Sequence, residues 1–81
     1  MLNPIQLYIW NLIASGKMTL EKICVACDLK YKTLQSSLYR PTVSRLVRTE
    51  LRAGGVVPDK VIKEYDIWVQ KIGKKRRQNV R

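Results

Sequence analysis

Cys24 and Cys27 are the first residues to test for chemistry, because a C-x-x-C pair can hold a metal or cycle between thiol and disulfide. Neither use is well served here. A zinc site takes four ligands, and this chain has no histidine and no further cysteine. Two copies of the chain would have to share a four-thiolate site. A redox pair normally opens a helix after a strand. Both cysteines instead fall inside a helical apolar pattern with Leu20 and Ile23, which makes them small buried thiols. There are no paired carboxylates at a useful spacing and no glycine-rich phosphate loop. Glu21, Asp59 and Glu64 suit helix ends and surface. The expectation is a non-enzyme that needs no cofactor, no metal and no small-molecule substrate.

What the chain offers instead is charge and hydrogen bonding. It carries 16 Lys and Arg against 6 Asp and Glu, a net charge of +10 on 81 residues. Such an excess implies a polyanionic partner. The charge is unevenly placed. Residues 1–29 balance Lys17 and Lys22 against Glu21 and Asp28. Residues 30–52 hold Lys30, Lys32, Arg40, Arg45, Arg48 and Arg52 against Glu50 alone. Residues 71–81 are basic without any acid. Two basic regions flanking an apolar helix suit a footprint on more than one backbone segment of a duplex.

Five helices and no strand are expected to position these groups. Asn3 is the N-cap of the first, with Pro4 at the favoured first position. Gln6 and Asn11 interrupt the apolar run Pro4–Ala14, in which Ile5, Tyr8, Ile9, Leu12 and Ile13 form the buried stripe, and Gly16 ends the helix. Thr19 caps the second helix, whose Leu20, Ile23, Cys24 and Cys27 share one face. The third runs from Tyr31 to Tyr39, stopped by Pro41. It packs by Leu34 and Leu38 with small Ser37 beside them. Lys30, Tyr31, Lys32, Gln35, Ser36 and Tyr39 remain as a polar or amphipathic side, as a major groove requires of a reading helix.

Thr42 is the expected cap of a fourth helix running to about Arg52, with Val43, Leu46, Val47 and Leu51 on its apolar side. Arg45, Arg48 and Arg52 form a stripe on another side, either solvated or turned to phosphate. The fifth helix is expected from Pro58 to Ile72, with Gly73 beyond its end. Val61, Tyr65, Trp68 and Ile72 repeat like a short coiled-coil seam, which makes them the candidate interface of a homodimer, intramolecular core being the other reading. Residues 1–73 form the domain. Residues 74–81 form a basic tail, expected to lack fixed structure without a partner. No signal peptide or membrane-spanning stretch is legible, so a cytoplasmic protein with no membrane partner is expected.

The window Leu20–Tyr39 resembles the helix-turn-helix pattern. Its hydrophobic places hold Ile23, Cys27, Leu29 and Leu34, and its small place holds Cys24. Asp28 stands where glycine is common, a departure that aspartate tolerates better than most residues. A preceding helix, this window and a following helix together resemble the lambda-repressor-like (Xre/Cro) class. The stretch Thr33-Leu34…Leu38…Arg40-Pro41 is similar to the Ner-like regulators of transposing phages. The resemblance covers roughly residues 5–62.

It implies an all-α, five-helix lambda-repressor-like bundle that binds double-stranded DNA. By position, Tyr31, Lys32, Gln35 and Ser36 would read base edges. Thr19, Lys30, Thr33, Tyr39, Arg40 and Arg45 would lie on the DNA backbone, and Lys74, Lys75, Arg76 and Arg77 would add tail contacts. The function implied is a transcriptional regulator, a repressor binding a palindromic operator as a homodimer in a bacterial or phage-infected cell. Two alternatives stay open: a protein-interaction module such as an antitoxin or anti-regulator, and a non-specific nucleic-acid-binding protein.

Overall fold

Asn3 starts the first helix with two reciprocal bonds. Its side chain accepts the Gln6 N–H at 2.9 Å, while the Gln6 side chain accepts the Asn3 N–H at 3.0 Å. This capping box leads into α1 (Pro4–Ala14), with Pro4 at a position that needs no donor. The computed structural model describes the backbone of residues 2–79 and the side chains of residues 2–72. Gly16, at φ 77°, turns the chain away after α1. Thr19 then caps α2 (Leu20–Cys27), its hydroxyl accepting the Lys22 N–H at 3.2 Å. Asp28 ends α2 in the left-handed conformation, at φ 51°.

After the turn Asp28-Leu29-Lys30 comes α3 (Tyr31–Tyr39), within the limits that the apolar period and Pro41 imply. Lys30 precedes it in extended conformation and gives no side-chain cap. The fourth helix, α4 (Arg45–Ala53), starts later than expected. Ser44 is its cap, not Thr42, its hydroxyl accepting the Val47 N–H at 3.3 Å. The reason lies in Val43. Its side chain is buried, and the Tyr65 hydroxyl holds both its N–H and its C=O, so the chain cannot yet turn helical. With the start moved, Val47 and Leu51 face inward and Leu46, one step earlier around the helix, is 65% exposed. Leu46 is therefore not part of the apolar side.

α5 (Asp59–Asn79) is the longest helix. Its expected end at Ile72 is not observed, for the backbone stays helical through Gly73 to Asn79. A glycine inside a helix costs only about 1 kcal/mol relative to alanine. The Lys and Arg residues that follow it are good helix formers and favour the negative end of the helix dipole.

The molecule is all-helical, with five helices and no strand among the described residues. The core draws on every helix: Ile5 and Ile9 of α1, Ile23 and Cys27 of α2, Leu34 and Leu38 of α3, Val47 and Leu51 of α4, Val61 and Tyr65 of α5. α1 lies against α5, and α2 packs on both α3 and α4. Among the described residues no helix is long and apolar enough to cross a membrane.

Gly54, the C-cap of α4, sets how near α4 comes to α2. A Cβ there would stand 2.6 Å from both the Ala26 carbonyl oxygen and the Cys27 Sγ. Its backbone conformation suits any residue, so space alone demands glycine. Gly54→Ala should cost about 1–3 kcal/mol by forcing α2 and α4 apart. A urea titration checks this, and an unchanged midpoint would mean the two helices part freely.

Candidate nucleic-acid interface

α3 is two-sided because of its sequence. Leu34, Ser37 and Leu38 are buried, and Ser37 satisfies its hydroxyl on the Thr33 carbonyl at 2.9 Å. The opposite side exposes Tyr31, Lys32, Gln35, Ser36 and Tyr39, with Thr33 half-buried at the margin. Lys32, Gln35, Ser36 and Tyr39 stand at i, i+3, i+4 and i+7, a single stripe along the helix. The four candidate base-reading residues are thus all exposed on one element.

Beside the stripe, α3 and the chain that follows it enclose a groove of about 360 Å³. Lys32, Thr33 and Ser36 line one wall, Arg40, Thr42 and Ser44 the other. Two cations and several hydroxyls in one concavity suit an oxyanion such as a backbone phosphate. Arg40 and Thr33 were expected near a backbone. Thr42 and Ser44 were not, since their place follows from the extended path of residues 40–44.

The segment bordering this groove is held by side chains from far along the chain. The Gln6 amide donates to the Ser37 carbonyl at 3.0 Å and also to the Arg40 carbonyl. The Asn3 amide donates to the Pro41 carbonyl at 3.2 Å. The interruption that Gln6 makes in the apolar run of α1 is thus the cap for the end of α3. Tyr39, 73% exposed, meets the Trp10 ring edge-on with centroids 6.2 Å apart. Thr19 and Lys30 are exposed at the starts of α2 and α3.

The arginine stripe of α4 divides. Arg45 is exposed. Arg48 pairs with Asp66 at 3.2 Å and lies 5.1 Å over the Tyr65 ring. Arg52 pairs with Asp59 at 2.6 Å. Two of the three arginines therefore tie α4 to α5, and among the described residues Arg45 has no such pair.

The seam on α5 needs correction. Val61 is 8% exposed and Tyr65 2%, both within the core of a single chain. They cannot meet a second copy without opening that core. Trp68, half-buried, stacks on Tyr65 with centroids 6.0 Å apart, and Ile72 is also half-buried. Among the described residues, the exposed aliphatic groups on this side of the fold are Ile67 and Val69 of α5, Leu7 of α1 and Leu2 just before it. The side chains of Lys74, Lys75, Arg76 and Arg77 lie outside the described residues.

The two thiols behave as packing groups. Burial raises the Cys24 pKa above the usual 9.0, and the Glu21 charge adds to it. Burial also raises Cys27 above 9.0, with Glu50 and then Cys24 adding to it. Among the described residues no group of three or more His, Cys, Asp or Glu side chains could hold a metal. Comparison with protein-family models, with curated proteins and with solved structures finds no match for this chain.

A raised thiol pKa means that folding favours the protonated form. The stability this contributes is complete below the usual pKa of 9.0 and is lost as pH rises through the folded value. Near neutral pH iodoacetamide should therefore modify Cys27 far more slowly in the folded chain than in denaturing urea, with half-exposed Cys24 between. Mass spectrometry of the labelled peptides checks this. Equal rates would show that Cys27 is accessible and ionises as readily as in the unfolded chain.

Proposed function

We propose that this chain is a sequence-specific DNA-binding regulator of transcription, built as a lambda-repressor-like helix-turn-helix protein and nearest in kind to the Ner-like phage regulators. The observation that carries this reading is α3. It buries one side and exposes Tyr31, Lys32, Gln35 and Ser36 on the other, next to a basic, hydroxyl-lined groove, in a chain of net charge +10. α3 enters the major groove. Gln35 pairs bidentately with adenine and Lys32 donates to guanine, while Ser36 and Tyr31 complete the edge contacts. Thr19, Lys30, Thr33, Tyr39, Arg40 and Arg45 contact phosphate and fix the register of α3 on the duplex. Lys74, Lys75, Arg76 and Arg77 add charge that holds any duplex. The protein performs no chemistry. It represses by occupying a promoter in a bacterial or phage-infected cell.

Two copies on a palindromic operator complete the reading. Pairing would use the surface of α1 and α5 around Leu2, Leu7 and Trp68, which borders a shallow groove with Pro4, Tyr8 and Glu64. The same exposed apolar surface favours the second reading, a module that holds a protein partner.

Selection from a random duplex pool tests the proposal directly. An enriched palindrome with half-sites about one helical turn apart is expected. Binding without enrichment would sink the sequence-specific reading. On the enriched site, Gln35→Ala should relax preference at one base pair, at a cost of about 1–3 kcal/mol. Unaltered preference at every position would remove Gln35 from the reading surface.

A further inference from the structure

The segment Arg40–Val43 has no regular structure, yet every residue but Thr42 is tied through its backbone. Arg40 lies beyond the end of α3, and α4 does not begin until Arg45. The Arg40 and Pro41 carbonyls are held by the Gln6 and Asn3 amides. Two residues on, the Tyr65 hydroxyl accepts the Val43 N–H at 2.8 Å and donates to the Val43 carbonyl at 3.2 Å. The side chains that do this are almost wholly buried: Asn3 is 0% exposed, Gln6 2% and Tyr65 2%. Gln6 uses its amide completely, its oxygen accepting from Asn3 and its nitrogen donating to both Ser37 and Arg40. The held segment carries the side chains of Arg40 and Thr42, which line the groove with Lys32 and Ser36.

We propose that Gln6 and Tyr65 are positioning residues for nucleic-acid backbone contact. Acting from α1 and α5, they hold the segment Arg40–Val43 so that Arg40 and Thr42 meet a phosphate held between them and Thr33. The proposal rests on the duplex-DNA reading above and deepens it. Neither residue touches the ligand. An arginine on a fixed backbone loses little freedom on binding, whereas the same side chain on a loose loop must be ordered at a cost to affinity. Gln6 holds the first residue of the segment and Tyr65 the last, and loss of either loosens one end of it.

The test uses Tyr65→Phe and Gln6→Met on the full chain, with Ile9→Val as a comparison that loosens the α1 core at a buried residue that does not line the groove. Tyr65→Phe keeps the ring, its stacking with Trp68 and its contact with Arg48, and removes only the hydroxyl. Affinity for the duplex enriched by selection is measured by fluorescence anisotropy over a range of salt, with folding monitored by circular dichroism. Each phosphate contact adds about 0.9 to the slope of log affinity against log salt. Tyr65→Phe should lower that slope by about 0.9 and weaken binding on the order of tenfold at about 0.1 M salt. Gln6→Met should do the same where it folds, and Ile9→Val should keep the wild-type slope. Wild-type slope and affinity in Tyr65→Phe would overturn the proposal, as would weakening without a change of slope, which marks a merely structural role. Absence of any sequence preference in the wild-type chain would instead overturn the functional reading, and the proposal with it.

Discussion

The carbonyl end of α3 is the point on which the arrangement turns. A helix leaves its last carbonyls without partners, and a buried one must find donors elsewhere. Here the donors come from the first turn of α1, where Gln6 reaches Ser37 and Arg40 and Asn3 reaches Pro41. The same two side chains also cap α1. One buried amide pair therefore begins one helix and ends another. Leaving a buried carbonyl unpaired costs about 1–3 kcal/mol, so the pair fixes the angle between α1 and α3 more firmly than apolar packing alone would. The exposed side of α3 inherits that orientation.

Charge is sorted by the same packing. α5 carries acids where it passes α4, and Asp59 and Asp66 take up Arg52 and Arg48. Both pairs are partly solvated, so each adds little stability. Their larger effect is on distribution. They neutralise the side of α4 nearest α5 and leave Lys32 and Arg40 together at the groove beside α3, with Lys30 exposed at the start of α3 and Arg45 at the start of α4.

Much of this was legible in the residues. Asn3-Pro4 and Thr19 are local signals that need nothing from the rest of the chain, and they start α1 and α2 as expected. Asp28 takes the left-handed turn that its place in the window demands. The limits of α3 and the exposure of Tyr31, Lys32, Gln35 and Ser36 follow from the apolar period. What was not legible depended on contacts across the chain. Thr42 and Ser44 are both capable caps, and only the tie between Val43 and Tyr65 chooses between them. The 4-3-4 spacing on α5 identifies an apolar face but not what covers it, and here α1 and α4 both pack against α5. Gln6 in sequence is a polar break in an apolar run, and its partners lie more than thirty residues away. Gly73 is a local stop signal outweighed by the strong helix formers after it.

The tie between Tyr65 and Val43 also has a consequence for biosynthesis. A ribosome delivers the chain from its amino end, and domains generally fold as they emerge. α1 to α4 can begin to pack as soon as they are free, with Gln6 already available to the end of α3. Val43 must wait for Tyr65, 22 residues later in the chain. Until α5 arrives, α1 also lacks the helix that covers it. The nascent chain thus passes through a stage with α3 already made and its flanking segment held at one end only. Completion of the groove is timed by the synthesis of the last helix, so a chain stopped before α5 would carry α3 without the frame that sets it.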